Sequence, residues 1–191
     1  MKKIILFTVF FAQTIYCSAQ LEVKVNPLGA LLSNPDASIE FNVSKHVAFE
    51  PFAGLSYADT YVGLVRFTSN GYTYGVMGKY FFTPVRGFDK VYLGIYALKG
   101  TIKYTGFALR ANDVFTNDYE VVGGTVGYKW VFNNNIVLDL STAIGKRIGN
   151  RYEKDDNSNL NLDVLSAPNL DYMLRLGVGY RFGGGNKKTL D

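Results

Sequence analysis

Apolar and polar side chains alternate along most of this chain with a period of two. In residues 170–182, LDYMLRLGVGYRF, apolar or aromatic side chains take every second place, and charged residues fall between several of them. Such alternation predicts a β-strand with one apolar face and one polar face. Eight runs of this kind follow one another: 20–32, 37–43, 47–57, 72–82, 91–104, 118–132, 136–148 and 170–182. We expect a bulge at Pro27 in the first run, and the fifth run is apolar on both faces, so its phase is ambiguous.

The connections between the runs indicate how the strands are arranged. From the second run onward, short turns at 44–46, 83–90 and 133–135 alternate with longer stretches at 58–71, 105–117 and 149–169. That rhythm is typical of an up-and-down barrel with tight turns at one end and long loops at the other. Only the first connection, 33–36, is shorter than the pattern predicts. The sequence therefore predicts an all-β fold, an eight-stranded antiparallel up-and-down transmembrane β-barrel.

Side-chain size indicates which face of the strands points outward. On the fourth, sixth, seventh and eighth runs the apolar face carries the bulky side chains, including six tyrosines, Trp130 and the leucines, whereas the opposite face carries glycines and charges. Since eight strands leave a narrow interior, glycines with a few charged groups fit the lumen, and the bulky apolar face fits lipid. We expect the inward charges to form a salt-bridge network that fills the lumen: Glu40, Glu50, Lys79, Asp139, Arg147, Arg175 and Arg181. An inverted, soluble ligand-binding barrel is the alternative.

The first nineteen residues differ from the rest. Lys2 and Lys3 precede an apolar stretch and then small residues, which is typical of a secretory signal peptide cut after Ala19. We therefore divide the chain into a signal peptide at 1–19, an outer-membrane barrel at 20–182 and a short tail at 183–191. Cleavage would lower the formal charge from +4 to +2 and remove Cys17, the one cysteine. The mature chain would then have no disulfide or thiol chemistry, and no basic patch indicates nucleic-acid binding.

The last strand carries a resemblance to a known family. Leu176, Val178, Tyr180 and Phe182 alternate up to a final aromatic residue, which resembles the C-terminal assembly signal of bacterial outer-membrane proteins. With the signal peptide and eight runs, the chain resembles small barrels of the OmpX and OmpA-membrane-domain type. Its sequence is also similar in character to small barrels of Bacteroidota. The resemblance implies a location in the outer membrane of a Gram-negative bacterium, with membrane lipid and the barrel-assembly machinery as partners. The tail departs from the family pattern, and it is too short for a peptidoglycan-binding domain.

Little in the sequence indicates catalysis or metal binding. His46, the one histidine, falls in a tight turn, and a solvated turn residue is expected there rather than the base of a lipid-modifying enzyme. Glu153, Asp155 and Asp156 lack the spacing of a calcium loop, and residues 183–186, GGGN, lack the residues of a phosphate loop. We expect no catalytic residue, no metal and no cofactor.

The remaining hypotheses concern what a non-enzymatic barrel does. The first is a structural role, or an interaction with an outer-membrane protein partner through the long loops, with six candidate residues: Tyr61, Tyr72, Asn112, Asn117, Asn157 and Asn159. The second is a transport barrel, either a narrow pore for ions or small solutes or a lateral route for apolar solutes. The sequence does not separate these two hypotheses.

Overall fold

The chain folds into a closed eight-stranded barrel. The structure is a computed structural model that describes residues 20–62, 65–108, 111–154 and 169–183. The strands are β1 (Leu21–Val25), β2 (Asp36–Asn42), β3 (Val47–Val62), β4 (Val65–Phe81), β5 (Lys90–Ala108), β6 (Ala111–Val131), β7 (Ile136–Lys154) and β8 (Leu170–Phe182). Each strand pairs antiparallel with its neighbour in sequence, and β1 pairs with β8 to close the ring. The predicted all-β, antiparallel up-and-down barrel is confirmed.

The first run is not one bulged strand, so that prediction was wrong. β1 ends at Val25 and a short helix, α1 (Pro27–Leu31), follows it. The Asn26 side chain caps the helix by accepting a hydrogen bond from the Gly29 N–H at 3.0 Å, and proline suits the first helical position because its missing N–H has no partner there anyway. Within the described ranges, no helix is long and apolar enough to cross a membrane.

Two of the predicted long loops are strands. β3 continues to Val62 and β4 begins at Val65, so most of 58–71 belongs to a hairpin with an unbroken antiparallel register. β5 and β6 likewise pair from Lys90 to Ala108, through most of 105–117. Alternation stops in these stretches because polar residues occupy both faces, but the backbone ladder does not depend on side-chain polarity. Strand β7 runs to Lys154, and residues 155–168 of the third predicted loop lie outside the described residues.

The tight turns lie at one end of the barrel, and the alternating pattern divides the wall into two faces. Outward positions carry large apolar side chains that are exposed on the outer surface, whereas glycines and charges point inward. On β4, Tyr72 and Tyr74 stack near one end of the outer face, and Tyr80 lies edge-on to Phe82 near the other. From Tyr72 to Tyr80 the strand rises roughly 26 Å at about 3.3 Å per residue. The wall therefore has an apolar band between two aromatic rows.

The interior also contains large aromatic side chains, which the sequence pattern did not place there. Three tyrosines on β5 and β6 lie over glycines directly opposite on the neighbouring strand: Tyr92 over Gly127, Tyr96 over Gly123, and Tyr119 over Gly100. A Cβ atom at any of these glycines would meet the tyrosine ring. Inward glycine thus provides the volume that an inward ring fills, and the narrow lumen is close-packed where these rings lie.

This packing predicts different costs for two substitutions on β6. Gly127→Val places a branched side chain against Tyr92, so we expect a loss of about 1–3 kcal/mol in the free energy of unfolding from overpacking. Gly124→Val is the matched control, because a Cβ there points outward and meets only the Gly94 carbonyl oxygen at 3.8 Å. Urea unfolding of both variants in detergent micelles measures the difference. Equal stabilities would contradict the proposed ring-over-glycine packing.

Candidate functional site

Three carboxylates and two ammonium groups meet inside the lumen. Lys24 Nζ lies 2.6 Å from a Glu40 oxygen, 2.8 Å from Glu50 and 2.8 Å from Asp139. Lys79 Nζ lies 3.0 Å from Glu40 and 2.8 Å from Asp139, and it also contacts Glu50. All five side chains are buried. Each ammonium group therefore has three carboxylate partners, which satisfies all of its donors.

The cluster extends from this centre in two directions. Toward the turn end, Lys129 bridges Glu40 and Glu22, and Glu22 accepts hydrogen bonds from Arg181 Nε at 2.7 Å and Nη2 at 2.5 Å. Toward the other end, Arg175 donates to Glu50 at 3.0 Å and to Asp36 at 2.5 Å. The chain of alternating charges thus continues from one side of the lumen to the other.

The cluster is charge-balanced and draws on every strand. We call it the lumen network; its ten charged members are Glu22, Asp36, Glu40, Glu50, Asp139, Lys24, Lys79, Lys129, Arg175 and Arg181. Five carboxylates face five cations, and β5 adds the Tyr92 hydroxyl, which donates to Asp139 at 2.7 Å. Because burying an unpaired charge costs several kcal/mol, this balance is what allows so many charges to lie in a narrow interior.

The same geometry argues against a metal centre in the network. Oxygen atoms of Glu40, Glu50 and Asp139 lie within 4.8 Å of one another, as the ligands of a cation would. Lys24 and Lys79 already supply two positive charges at that point, with Nζ atoms in direct contact with all three carboxylates. A divalent ion would have to displace both ammonium groups, so these residues do not fit a metal site.

Below the network, the β4–β5 turn closes the turn end of the lumen. Phe88 folds inward, is fully buried and packs against Phe81 with ring centroids 6.0 Å apart. The Asp89 carboxylate holds the turn by accepting from the backbone N–H groups of Val85 at 2.6 Å and Arg86 at 3.0 Å. Arg181 donates to the carbonyl oxygens of Arg86 and Phe88. The turn and the network together occupy the lower half of the lumen.

The residues proposed from the sequence fall into two groups here. The structure brings together Glu40, Glu50, Lys79, Asp139, Arg175 and Arg181 in the lumen network. It places Arg147 apart from them, higher in the lumen, where its Nη2 atom lies 3.7 Å from Asp171 and its guanidinium lies over the Tyr119 ring.

Sequence reasoning missed four charged members of the network: Glu22, Lys24, Asp36 and Lys129. Glu22 and Lys24 stand between outward apolar residues of β1, and Lys129 stands between Tyr128 and Trp130. The alternation that identified the other charges therefore applied to these three as well. Asp36 was assigned to a turn but begins β2, so the pattern gave no signal for it.

Several other predicted positions have clear places in the fold. Leu176, Val178, Tyr180 and Phe182 lie on β8, in register with β7 or β1, and the Tyr180 and Phe182 rings are 5.0 Å apart. Tyr72 is exposed on the outer face, whereas Asn117 is buried in strand β6 and not in a loop. The side chains of Tyr61, Asn112, Asn157 and Asn159 lie outside the described residues, as do residues 1–19, Asp155, Asp156 and the tail beyond Gly183.

His46 lies in the β2–β3 turn, where it is partly buried and held by two contacts. Its Nδ1 atom lies 2.8 Å from the Phe81 carbonyl oxygen, and its ring stacks on Tyr80 at a centroid distance of 5.7 Å. Because a carbonyl oxygen accepts, Nδ1 carries the proton and donates. This ring is a structural link between the β2–β3 turn and β4.

The closed ring, the apolar outer face and the charge-filled lumen define a small up-and-down β-barrel. The chain belongs to the family DUF3575, described as a protein of unknown function, whose model matches residues 4–173. It is also similar in structure to a major outer membrane protein from Thermus thermophilus, with a TM-score of 0.57 and 11% sequence identity. That similarity covers 86% of this chain and 98% of the other, and at this identity it supports the fold alone. No curated protein matches the chain.

The network predicts that losing one buried charge costs more than losing an exposed one. Lys129→Met leaves Glu22 and Glu40 without a shared partner, so we expect a loss of about 3–5 kcal/mol in the free energy of unfolding. Lys99→Met is the control, since its pair with Glu120 is about half exposed and an exposed pair contributes little to stability. Chemical denaturation of the refolded barrel measures both.

A double variant tests charge balance directly. Glu40→Gln combined with Lys129→Met removes one charge of each sign, and the four carboxylates and four cations that remain stay paired, since Glu22 keeps Arg181 while Lys24 and Lys79 keep Glu50 and Asp139. We expect it to be more stable than Lys129→Met alone, because the charge that the single variant leaves unpaired is gone. Additive losses in the double variant would overturn the interpretation that neutrality stabilises the network.

Proposed function

We propose that this protein is a non-enzymatic outer-membrane β-barrel whose sealed lumen is a structural core and whose extended hairpins interact with partner molecules. The observation that carries the proposal is the separation of side chains across the wall. Large apolar side chains cover the outer face of every strand, while the ten charges of the lumen network lie inside and pair with one another. Lipid suits that outer face, since an apolar surface of this extent exposed to water would promote aggregation.

The membrane location follows from energetic arguments on both faces. An Arg or Lys facing lipid at the bilayer midplane would cost about 2–4 kcal/mol, and the five cations of the lumen network point inward. The aromatic rows suit the two membrane interfaces, where a tyrosine ring can be apolar on one side and its hydroxyl wet on the other. We further propose that this protein is a barrel of the OmpX and OmpA-membrane-domain type, similar to small barrels of Bacteroidota. Its location would be the outer membrane of a Gram-negative bacterium.

Two segments complete this proposal. Residues 1–19 would act as the signal peptide that directs export, leaving Gln20 as the first residue of the barrel and 183–191 as its tail. The outward side chains Leu176, Val178, Tyr180 and Phe182 would be recognised by the barrel-assembly machinery. Tyr180 and Phe182 are about half exposed on the outer face of the closing strand, which makes them accessible to another protein before the barrel closes.

The length of the strands supports an interaction role. A tilted membrane-spanning strand needs about 9–11 residues, but β4, β5, β6 and β7 have 17, 19, 21 and 19 residues. Their upper halves would therefore project beyond the bilayer as a sheet. An outer-membrane protein partner is the occupant that we propose for this projecting sheet.

A pore is the competing function, and the lumen argues against it. The network and Phe88 fill the lower lumen with paired charges and packed rings, and the network's ion contacts are 3.2 Å or shorter. A lipid-modifying activity has less support, because His46 is engaged with Phe81 and Tyr80. The sealed lumen favours the structural and interaction role.

The location is tested by fractionating cells that express the full chain. We expect the protein in the outer-membrane fraction, beginning at Gln20 by N-terminal sequencing, and migrating differently in gels before and after boiling. The heat shift reports the closed barrel, because detergent alone does not open its hydrogen-bonded ring. A soluble protein with no heat shift would contradict the outward orientation of the apolar face.

The sealed lumen is tested in planar bilayers. We expect the folded wild-type barrel to give no channel steps under conditions where a general porin conducts, since ions cannot cross the paired charges. An Arg175→Gln variant provides the comparison, because Arg175 bridges Glu50 and Asp36 at the top of the network. Wild-type steps whose size changes in this variant would establish the pore function instead.

A further inference from the structure

The upper half of the lumen holds a cavity of about 260 Å³ above the lumen network. Its inner wall is formed by Phe52, Leu98, Tyr119 and Met173, and α1 contributes Gly29. The cavity therefore lies between the short helix and the inward faces of the long strands. An apolar cavity of about 150 Å³ holds one benzene, so this volume accommodates an aromatic ring with a short alkyl chain.

The cavity extends through the barrel wall beside β8. Met173 points inward, but its neighbours Tyr172 and Leu174 are exposed on the outer face, and all three line the cavity. The wall has a gap here because β1 ends at Val25, opposite Val178. Above that pair, within the described part of the chain, one hydrogen bond joins β8 to the α1 segment, from the Leu176 N–H to Asn26 Oδ1 at 3.1 Å.

The polar groups around the cavity have hydrogen-bonding capacity to spare. The Tyr119 and Thr73 hydroxyls are 3.4 Å apart, and the Tyr96 hydroxyl is 3.5 Å from Asp171. Arg147 contacts the lining residues Asp171 and Tyr119 from behind, and its Nε atom has no partner among the described residues. The ion pairs of the lumen network just below are much shorter, so the loose contacts are particular to this cavity. A ligand that supplies a hydroxyl or amide group would improve these contacts.

The charges of the site define the ligand further. Arg147 and Asp171 balance each other at the cavity, and Asp36 is neutralised by Arg175. A charged ligand would therefore leave a buried charge unpaired, whereas a neutral one would not. The uncharged polar groups of the wall include Asn26, Asn34 and Thr73, and the sideways opening is bordered by Leu174 and Tyr172.

We propose that this cavity binds a small neutral molecule with an apolar body and one hydroxyl or amide group, which enters sideways between α1 and β8. The apolar body would pack on Phe52, Leu98 and Met173, and the polar group would bond to Tyr119 and Thr73. Entry from lipid rests on the proposed membrane location, but binding in the cavity does not.

The probe for this proposal is 4-propylphenol, and propylbenzene is the comparison compound that lacks the hydroxyl group. Methionine methyl signals of the folded barrel in micelles give the readout, because Met173 lines the cavity and Met77 is fully buried in the core cluster that includes the lining residues Phe52 and Leu98. We expect a saturable shift of the Met173 signal, with a dissociation constant on the order of 0.1–1 mM for a ten-atom ligand. A shift that rises linearly without saturating would mean partitioning into detergent and would overturn the proposal.

Matched variants separate the cavity from the outer surface. Leu98→Trp fills the cavity and should abolish the saturable shift, whereas Ala97→Trp places the same side chain on the outer face of β5 and should leave it unchanged. Tyr119→Phe should weaken 4-propylphenol binding by roughly threefold to tenfold, the effect of one hydrogen bond, and leave propylbenzene binding unchanged. If Leu98→Trp does not show the heat shift of a folded barrel, the Tyr119→Phe result alone tests whether the probe binds in the cavity.

The outcomes distinguish this proposal from the proposed function. Saturable binding that survives Leu98→Trp in the folded barrel, or equal affinities for both probes in wild type and Tyr119→Phe, would overturn the cavity site. A soluble location found by fractionation would overturn the membrane function and the lipid-side entry, but the probe titration in buffer would still test the cavity.

Discussion

The narrowness of an eight-stranded ring is the constraint on which the rest of this structure depends. Eight strands enclose only enough space for side chains, so each inward residue must fit in size and in charge with residues from distant parts of the sequence. Lys24 on β1 meets Asp139 on β7 for this reason. The lumen network is thus a joint property of all eight strands, and it exists only once the ring has closed.

The same constraint explains the two layers of the interior. In the lower lumen the space is filled by long charged side chains that bond to one another, and in the middle by rings that lie over glycines, such as Tyr96 over Gly123. Both the charged side chains and the rings fill the lumen, but they differ in whether each group needs a bonding partner. Ion pairs require every partner to be present, whereas ring packing tolerates a void at its margin, and the cavity beside Tyr119 lies at that margin.

The sequence predicted those parts of the fold that depend on the two-residue period. Strand identity, the outward apolar face and most inward charges follow from alternation alone, as Arg175 and Arg181 on β8 show. The inward tyrosines did not follow, because β5 is apolar on both faces and Tyr92 and Tyr96 resemble outward aromatics. The extended hairpins were missed because their polar residues carry no alternation. Which charges would pair required the register of the closed ring, which no local pattern contains.

The short first strand links the sealed and the open parts of this barrel. β1 supplies Glu22 and Lys24 to the network and pairs with β8 along its whole five-residue length. Asn26 and Pro27 then end the strand, and α1 takes the place that a longer β1 would have filled beside β8. A barrel of these dimensions with a full-length first strand would be sealed around its whole wall. Because the chain turns into a helix at Pro27, the lower half of the ring is closed by backbone pairing, and the upper half has an opening in its wall that leads to the cavity.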